Sequence, residues 1–269
     1  MSAVRNRWIR PAVNLLIVVL TLTALSYLPP DTSLADRQKS GVLKLCVPPS
    51  YPPLVTADAQ QPGFDIELTA KLAERLGLRL NVNRLSSIGT DFNPRNWSLT
   101  RGQCDIIAGG VADTVQTRSF LETIPTPIET GWVALSNTGQ LPAAGGSVVV
   151  LPGTSGLDRL QLSGWLRRQS LQVIPARSPQ QFVDVLASGR AAAGITERFL
   201  TAGMALPPGS RTFWLPDAQF SRFRMALGLW KGDQTLKRAL LSALQATEAA
   251  GELEALESRY HVETIGKAP

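Results

Sequence analysis

The feature that most constrains this chain is a strand–helix–strand rhythm that stops near residue 120 and restarts near residue 147. The first run opens with the apolar "GVLKLCV" (41–47), closed by the turn "PPSYPP" (48–53). In "PGFDIELTAKLAERLGL" (62–78), Phe64, Leu68, Leu72 and Leu76 recur at helical spacing. Asp65 and Glu67 favour the first turn of that helix, and Gly77 stops it. "LRLNVNRL" (78–85) alternates as a strand, "NPRNWSLTRG" (93–102) predicts a short helix, and "CDIIAGG" (104–110) is a second buried strand. "FLETIPTPIETGWVALSN" (120–137) then predicts two extended pieces broken by Pro125 and Pro127, and "TGQLPAAGG" (138–146) a flexible connector. The second run follows: strands in "SVVVLPG", "LQVIPA" and "RAAAGIT", and helices in "TSGLDRLQLSGWLRRQ", "SPQQFVDVLASG" and "ERFLTAGMA". The strand "FRMALGLW" (223–230) precedes a long amphipathic stretch carrying Leu236, Leu240 and Leu244, interrupted at Gly251.

Alternating elements of this kind build parallel sheets with right-handed crossovers. Two such units joined by two extended crossings predict two lobes around a cleft, the usual place for a small ligand. Ligands meet open sheets at the carboxyl ends of the strands. "PPSYPP", "GGVADTVQTR", "PGTSG" and "TERF" all follow strands, so all four can face one cleft.

The first 35 residues read differently. Arg5, Arg7 and Arg10 precede the apolar "AVNLLIVVLTLTALSYL", with no acidic residue before Asp31. This is the layout of a signal peptide or signal anchor. Its uninterrupted apolar run, Leu15 to Leu28, is short for a span of about 20 residues. Small residues at Ser33 and Ala35 mark a cleavage site before Asp36, and the chain beyond is expected outside the cytoplasmic membrane, either free in the periplasm or anchored. Export permits a disulfide between Cys46 and Cys104. With Cys46 late in its strand and Cys104 early in its own, however, the two read as buried free thiols too far apart to bridge.

Composition narrows the chemistry. The chain has 27 Lys and Arg against 21 Asp and Glu, with no basic block dense enough for nucleic acid. A single histidine, His261, argues against His-based catalysis, and two cysteines cannot build a zinc site. No metal, cofactor or catalytic residue is expected.

The order of segments resembles the bacterial extracellular solute-binding proteins of family 3, the type II periplasmic binding proteins of polar amino-acid ABC transporters. The resemblance rests on "GVLKLCVPPSYPPL", "GFDIEL", "RGQCDIIAGG" leading to Arg118, "LPGTSGLDRL", "SPQQFVDVLASGRAAAGITE" and "FRMALGLWKGD", and covers roughly residues 41–261. It implies an α/β, two-lobed type II fold: two parallel or mixed sheets with flanking helices and a central cleft. The first lobe is discontinuous (36–132 and 223–269) and the second runs over 133–222, after an N-terminal apolar segment (1–35). It implies a monomer that closes on a small carboxylate-bearing solute and delivers it to an ABC permease in the cytoplasmic membrane.

The resemblance also implies site residues. Arg118 stands where the family clamps a ligand carboxylate, for which a guanidinium fork is suited; the plainer alternative is a surface pair with Glu122. Thr154 and Ser155 open a second-lobe helix whose free N–H groups suit an anion, or simply cap that helix. Tyr51 matches the aromatic wall of the ligand site, or packs on its neighbouring prolines. Glu197 stands where the family usually has an aspartate that receives the ligand amine, or is favoured there by the helix dipole. Gly110 brings bare backbone to the cleft. Three departures stand out. The loop from glycine to Arg118 is about two residues longer than usual, leaving Thr114 and Thr117 both open as carboxylate ligands. Ala192 replaces a usual aspartate, and the aromatic that normally follows "PP" is missing. Two other readings remain. One is an enzyme like the cyclohexadienyl dehydratases, which use a cleft glutamate as an acid, a role open to Glu197 if burial favoured its protonated form. The other is a membrane-held sensor or accessory module.

Overall fold

A computed structural model describes residues 3–26, 30–88, 94–153 and 157–262. The chain divides into two units, 1–32 and 33–269. The first unit holds one helix, α1 (Ala3–Ser26), whose side chains from Arg10 to Thr23 are exposed. Among the described residues no helix is long and apolar enough to cross a membrane.

In the second unit the elements run α2 (Ser33–Ser40), β1 (Val42–Val47), α3 (Phe64–Arg75), β2 (Arg79–Arg84), β3 (Ile106–Ile107), α4 (Val115–Phe120), β4 (Leu121–Thr130), β5 (Trp132–Ser136) and β6 (Ser147–Leu151). They continue with α5 (Arg159–Arg168), β7 (Gln172–Pro175), α6 (Pro179–Ala187), β8 (Ala193–Glu197), β9 (Arg211–Trp214), β10 (Phe223–Trp230), α7 (Gln234–Ala249) and α8 (Glu252–Tyr260). Short 3-10 segments span Pro94–Trp97 and Arg198–Gly203, where the sequence reads as helix.

Among the described residues, ten strands make two five-stranded mixed sheets, ordered β2-β1-β3-β10-β4 and β7-β6-β8-β5-β9. In the first, β1 runs parallel to β2 and β3, while β10 is antiparallel to β3 and β4. In the second, β6 is parallel to β7 and β8, while β5 is antiparallel to β8 and β9. The chain crosses between sheets at Gly131, which separates β4 from β5, and returns between β9 and β10. Pro125 and Pro127 do not break β4, which is continuous from Leu121 to Thr130; the break falls at the glycine instead. An outer strand tolerates proline because half its N–H groups have no ladder partner, and β4 is the outer strand of its sheet.

Both sheets are covered on two faces. Leu45, Phe64, Leu68, Leu72, Leu240 and Leu256 join the first sheet to α3, α7 and α8. On the second, successive β5 residues point opposite ways: Trp132 and Ala134 pack with Leu162 and Trp165 of α5, and Val133 and Leu135 with Phe182 and Val185 of α6. Helix α2 begins before the expected cleavage point. Ser33 Oγ lies 3.0 Å from Thr235 Oγ1 and accepts the Leu236 N–H at 3.2 Å, and Leu34 packs on the core, so a cut before Asp36 would remove the first turn of this helix.

Cys46 and Cys104 are bridged, with Cα atoms 5.4 Å apart. This corrects the expectation of free thiols. The strand after Cys104 starts only at Ile106, and the chain before it turns back, with Cys104 N–H donating to Thr100 O at 3.1 Å. That turn sets Cys104 beside Cys46, where an extended strand would have carried it away.

Candidate functional site

Strand ends bring a polar cluster together between the sheets. Glu197 is the last residue of β8, opposite Trp132 of β5, and is fully buried. Its Oε1 accepts hydrogen bonds from the Tyr51 hydroxyl and, at 2.8 Å, from the Thr130 hydroxyl. Tyr51 belongs to the turn after β1, and Thr130 ends β4, so two elements of the first sheet hold one carboxylate of the second. Gly153 completes the enclosure: a Cβ there would stand 2.3 Å from Glu197 Oε2, so only glycine lets the backbone after β6 approach so closely.

The turn bearing Tyr51 is held by its own backbone. Tyr51 N–H donates to Val55 O at 2.8 Å, and Tyr51 O accepts from Leu54 and Val55, both at 2.9 Å. Burial, then the adjacent Glu197 charge, raises the Tyr51 phenol well above its ordinary value, so it remains a hydrogen-bond donor. Gly110 lies against the Tyr51 ring; its φ of 114° is one that residues with side chains rarely adopt. Next to it, Gly109 N–H donates to the buried Asp65 carboxylate at 2.7 Å. Burial pushes Asp65 up to about 7, and the Gly109 N–H opposes that shift.

Arg118 lies on α4, with a half-exposed side chain that pairs with the Asp113 carboxylate at 2.9 Å and donates to Asp113 O at 3.1 Å. Glu122, the expected alternative partner, is taken by Lys231 at 3.2 Å and Lys237 at 2.6 Å, and these two amines hold its carboxyl below the usual range. Thr114 caps α4, its Oγ1 accepting the Thr117 N–H at 3.1 Å and lying 3.0 Å from Thr117 Oγ1. The two threonines between which the sequence does not choose are therefore bonded to each other. Thr114 also borders a cavity of about 230 Å³ with Gln116, Trp132, Asp158, Gln161 and Phe220. Thr154 and Ser155 lie outside the described residues.

Three contributors escape the sequence reading: Thr130, Gly153 and Arg198. Arg198 is buried, donates to Glu129 O at 2.7 Å and Val262 O at 3.1 Å, and lies over the rings of Phe199 and Trp214 at 4.8 and 5.7 Å. Burial lowers it to about 10. Its place next to Glu197 was the available signal, since a charged residue directly after a buried strand end must find partners nearby.

The sequence profile of the bacterial extracellular solute-binding proteins, family 3, matches residues 43–263. The chain belongs to this family. Solved structures of similar shape agree with it. A mutant of ArgBP from T. maritima is 20% identical, with a TM-score of 0.62 over 86% of this chain and 100% of that one. An ancestral cationic amino acid solute binding protein is 18% identical, with a TM-score of 0.64 over 85% and 99%. An ABC uptake transporter substrate binding protein from Streptococcus pneumoniae, with bound histidine, is 16% identical, with a TM-score of 0.63 over 88% and 99%. At such identity these likenesses show the shared type II periplasmic binding fold. No curated protein matches the chain significantly. Family 3 is a family of extracellular solute-binding proteins; the second of these relatives is named for cationic amino acids and the third holds histidine.

Proposed function

We propose that this protein captures a small carboxylate-bearing solute, an α-amino acid, outside the cytoplasmic membrane and presents it to an ABC permease as a monomer. The observation that carries this reading is Glu197, a buried carboxylate at a strand end, held between the two sheets by Tyr51 and Thr130. A buried acceptor of this kind matches an ammonium. Arg118 supplies the carboxylate partner. Its pair with Asp113 is half-exposed at the arginine and largely buried at the aspartate; Thr123 also donates to that carboxylate at 2.7 Å, so Asp113 keeps a hydrogen bond when Arg118 turns to a ligand carboxylate. The lobes are residues 36–132 with 223–269, and residues 133–222. Closure turns on Gly131 and on the return crossing before Phe223. Thermal unfolding against a panel of amino acids, dicarboxylates and prephenate tests this: a ligand at 100 times its Kd stabilises by about 2.7 kcal/mol. Stabilisation by amino acids supports the reading, and its absence across the panel opposes it.

The complete burial of Glu197 also favours a second reading, an acid in a dehydratase-like reaction. One similar structure is of an ancestral amino acid-binding protein that is a precursor of cyclohexadienyl dehydratase. Turnover of prephenate or arogenate that disappears in Glu197→Gln would support this reading, and intact substrate after prolonged incubation would remove it.

A further inference from the structure

We propose that the Tyr51 hydroxyl is an internal competitor for the ligand's ammonium: it holds Glu197 Oε1 and must leave before an amine can bind there. This rests on the amino-acid reading above. Tyr51 comes from the turn after β1 and Glu197 from the end of β8, so their hydrogen bond joins the two sheets directly. Thr130 donates to the same oxygen. Glu197 and Thr130 are fully buried and Tyr51 is 6% exposed, so an ammonium cannot reach the carboxylate without opening this contact. The other side is closed too, because Gly153 packs against Oε2 with no space for even a Cβ.

A neutral phenol and an ammonium compete unequally for a carboxylate. The charged donor forms the stronger bond, so a bound amine displaces the hydroxyl. The Tyr51–Glu197 bond still reduces the apparent affinity, because only the fraction of molecules with Glu197 released can bind. Tyr51 thus has two separable parts: a ring that walls the site against Gly110, and a hydroxyl that resists the amine. An acid without an amine, held at Arg118 alone, leaves the Tyr51–Glu197 bond in place.

Tyr51→Phe separates these parts, because it keeps the ring and removes the donor. Titration calorimetry of the full wild-type and variant chains would use each of the twenty L-amino acids and, for any that binds, the acid lacking only the α-amino group. The amino acid should bind Tyr51→Phe about tenfold more tightly, the effect of one hydrogen bond to a charged group. The amine-free acid should bind both proteins equally. Unchanged or weakened amino-acid binding in the variant overturns the competition alone and leaves the amino-acid reading standing. Failure of every amino acid to bind either protein overturns both.

Discussion

Asp65 links burial to pH at a single residue. Its carboxylate is buried beneath the Gly109–Gly110 turn, accepts the Gly109 N–H, and is raised from 3.8 to about 7. A carboxyl raised in the folded state favours folding while protonated in both states. That contribution is complete below the unfolded value and is lost as pH rises from about 4 to about 7, with no further change above. Through linkage a shift of this size is worth a few kcal/mol. Asp65→Asn keeps an acceptor for Gly109 and cannot ionise. In urea unfolding the variant should gain stability relative to wild type as pH rises from 4 to 7, and the difference should then level off. A difference that stays flat from pH 4 to 8 would show that Asp65 does not titrate in this range. The sequence displayed Asp65 only as a favourable residue in the first helical turn. Its real partner lies 44 positions away, and no local pattern reveals that pairing.

At the scale of elements, the Cys46–Cys104 bridge closes a loop of 58 residues that includes α3 and β2. In the chain-entropy picture such a loop is worth about 4 kcal/mol, and the account of its origin is model-dependent. A Cys46→Ala, Cys104→Ala double variant should therefore lose several kcal/mol in denaturant unfolding, and the wild type should lose a similar amount on complete reduction. Equal midpoints for oxidised and reduced protein would contradict this. Periodicity made the long elements legible. Leu68 and Leu72 of α3, and Leu236, Leu240 and Leu244 of α7, point inward as their spacing requires. Both sheets were also visible, because buried strands read as short apolar runs. The short elements were misjudged. Strand β3, read as spanning Cys104 to Gly110, has only two residues, so the expected distance between the cysteines was wrong; α4 has six, too few for a period to show, and Arg118 was expected on a loop. Strand β9 (Arg211–Trp214) carries two polar residues in four and was missed for the same reason. Pro125 and Pro127 misled because their effect depends on being in an outer strand, which only the assembled sheet defines.

For the whole molecule, the order of segments predicted the architecture well, because two strand–helix runs joined by two extended crossings leave few alternatives. Parts of the site were legible too. Tyr51, Gly110 and Glu197 come together, Glu197 at the end of a strand and the other two in the turns that follow strands. Thr130 and Gly153 could not be identified, since their roles depend on the two sheets meeting. Arg118 is bonded to Asp113, and carboxylate capture requires it to exchange that partner for the ligand. The most direct measurement is titration calorimetry of one stabilising amino acid into wild type and Arg118→Ala. Removing one partner of a ligand-bound charge pair costs about 2–5 kcal/mol, so binding should weaken at least about thirtyfold. Unchanged affinity in Arg118→Ala would contradict the assignment of the carboxylate to this arginine.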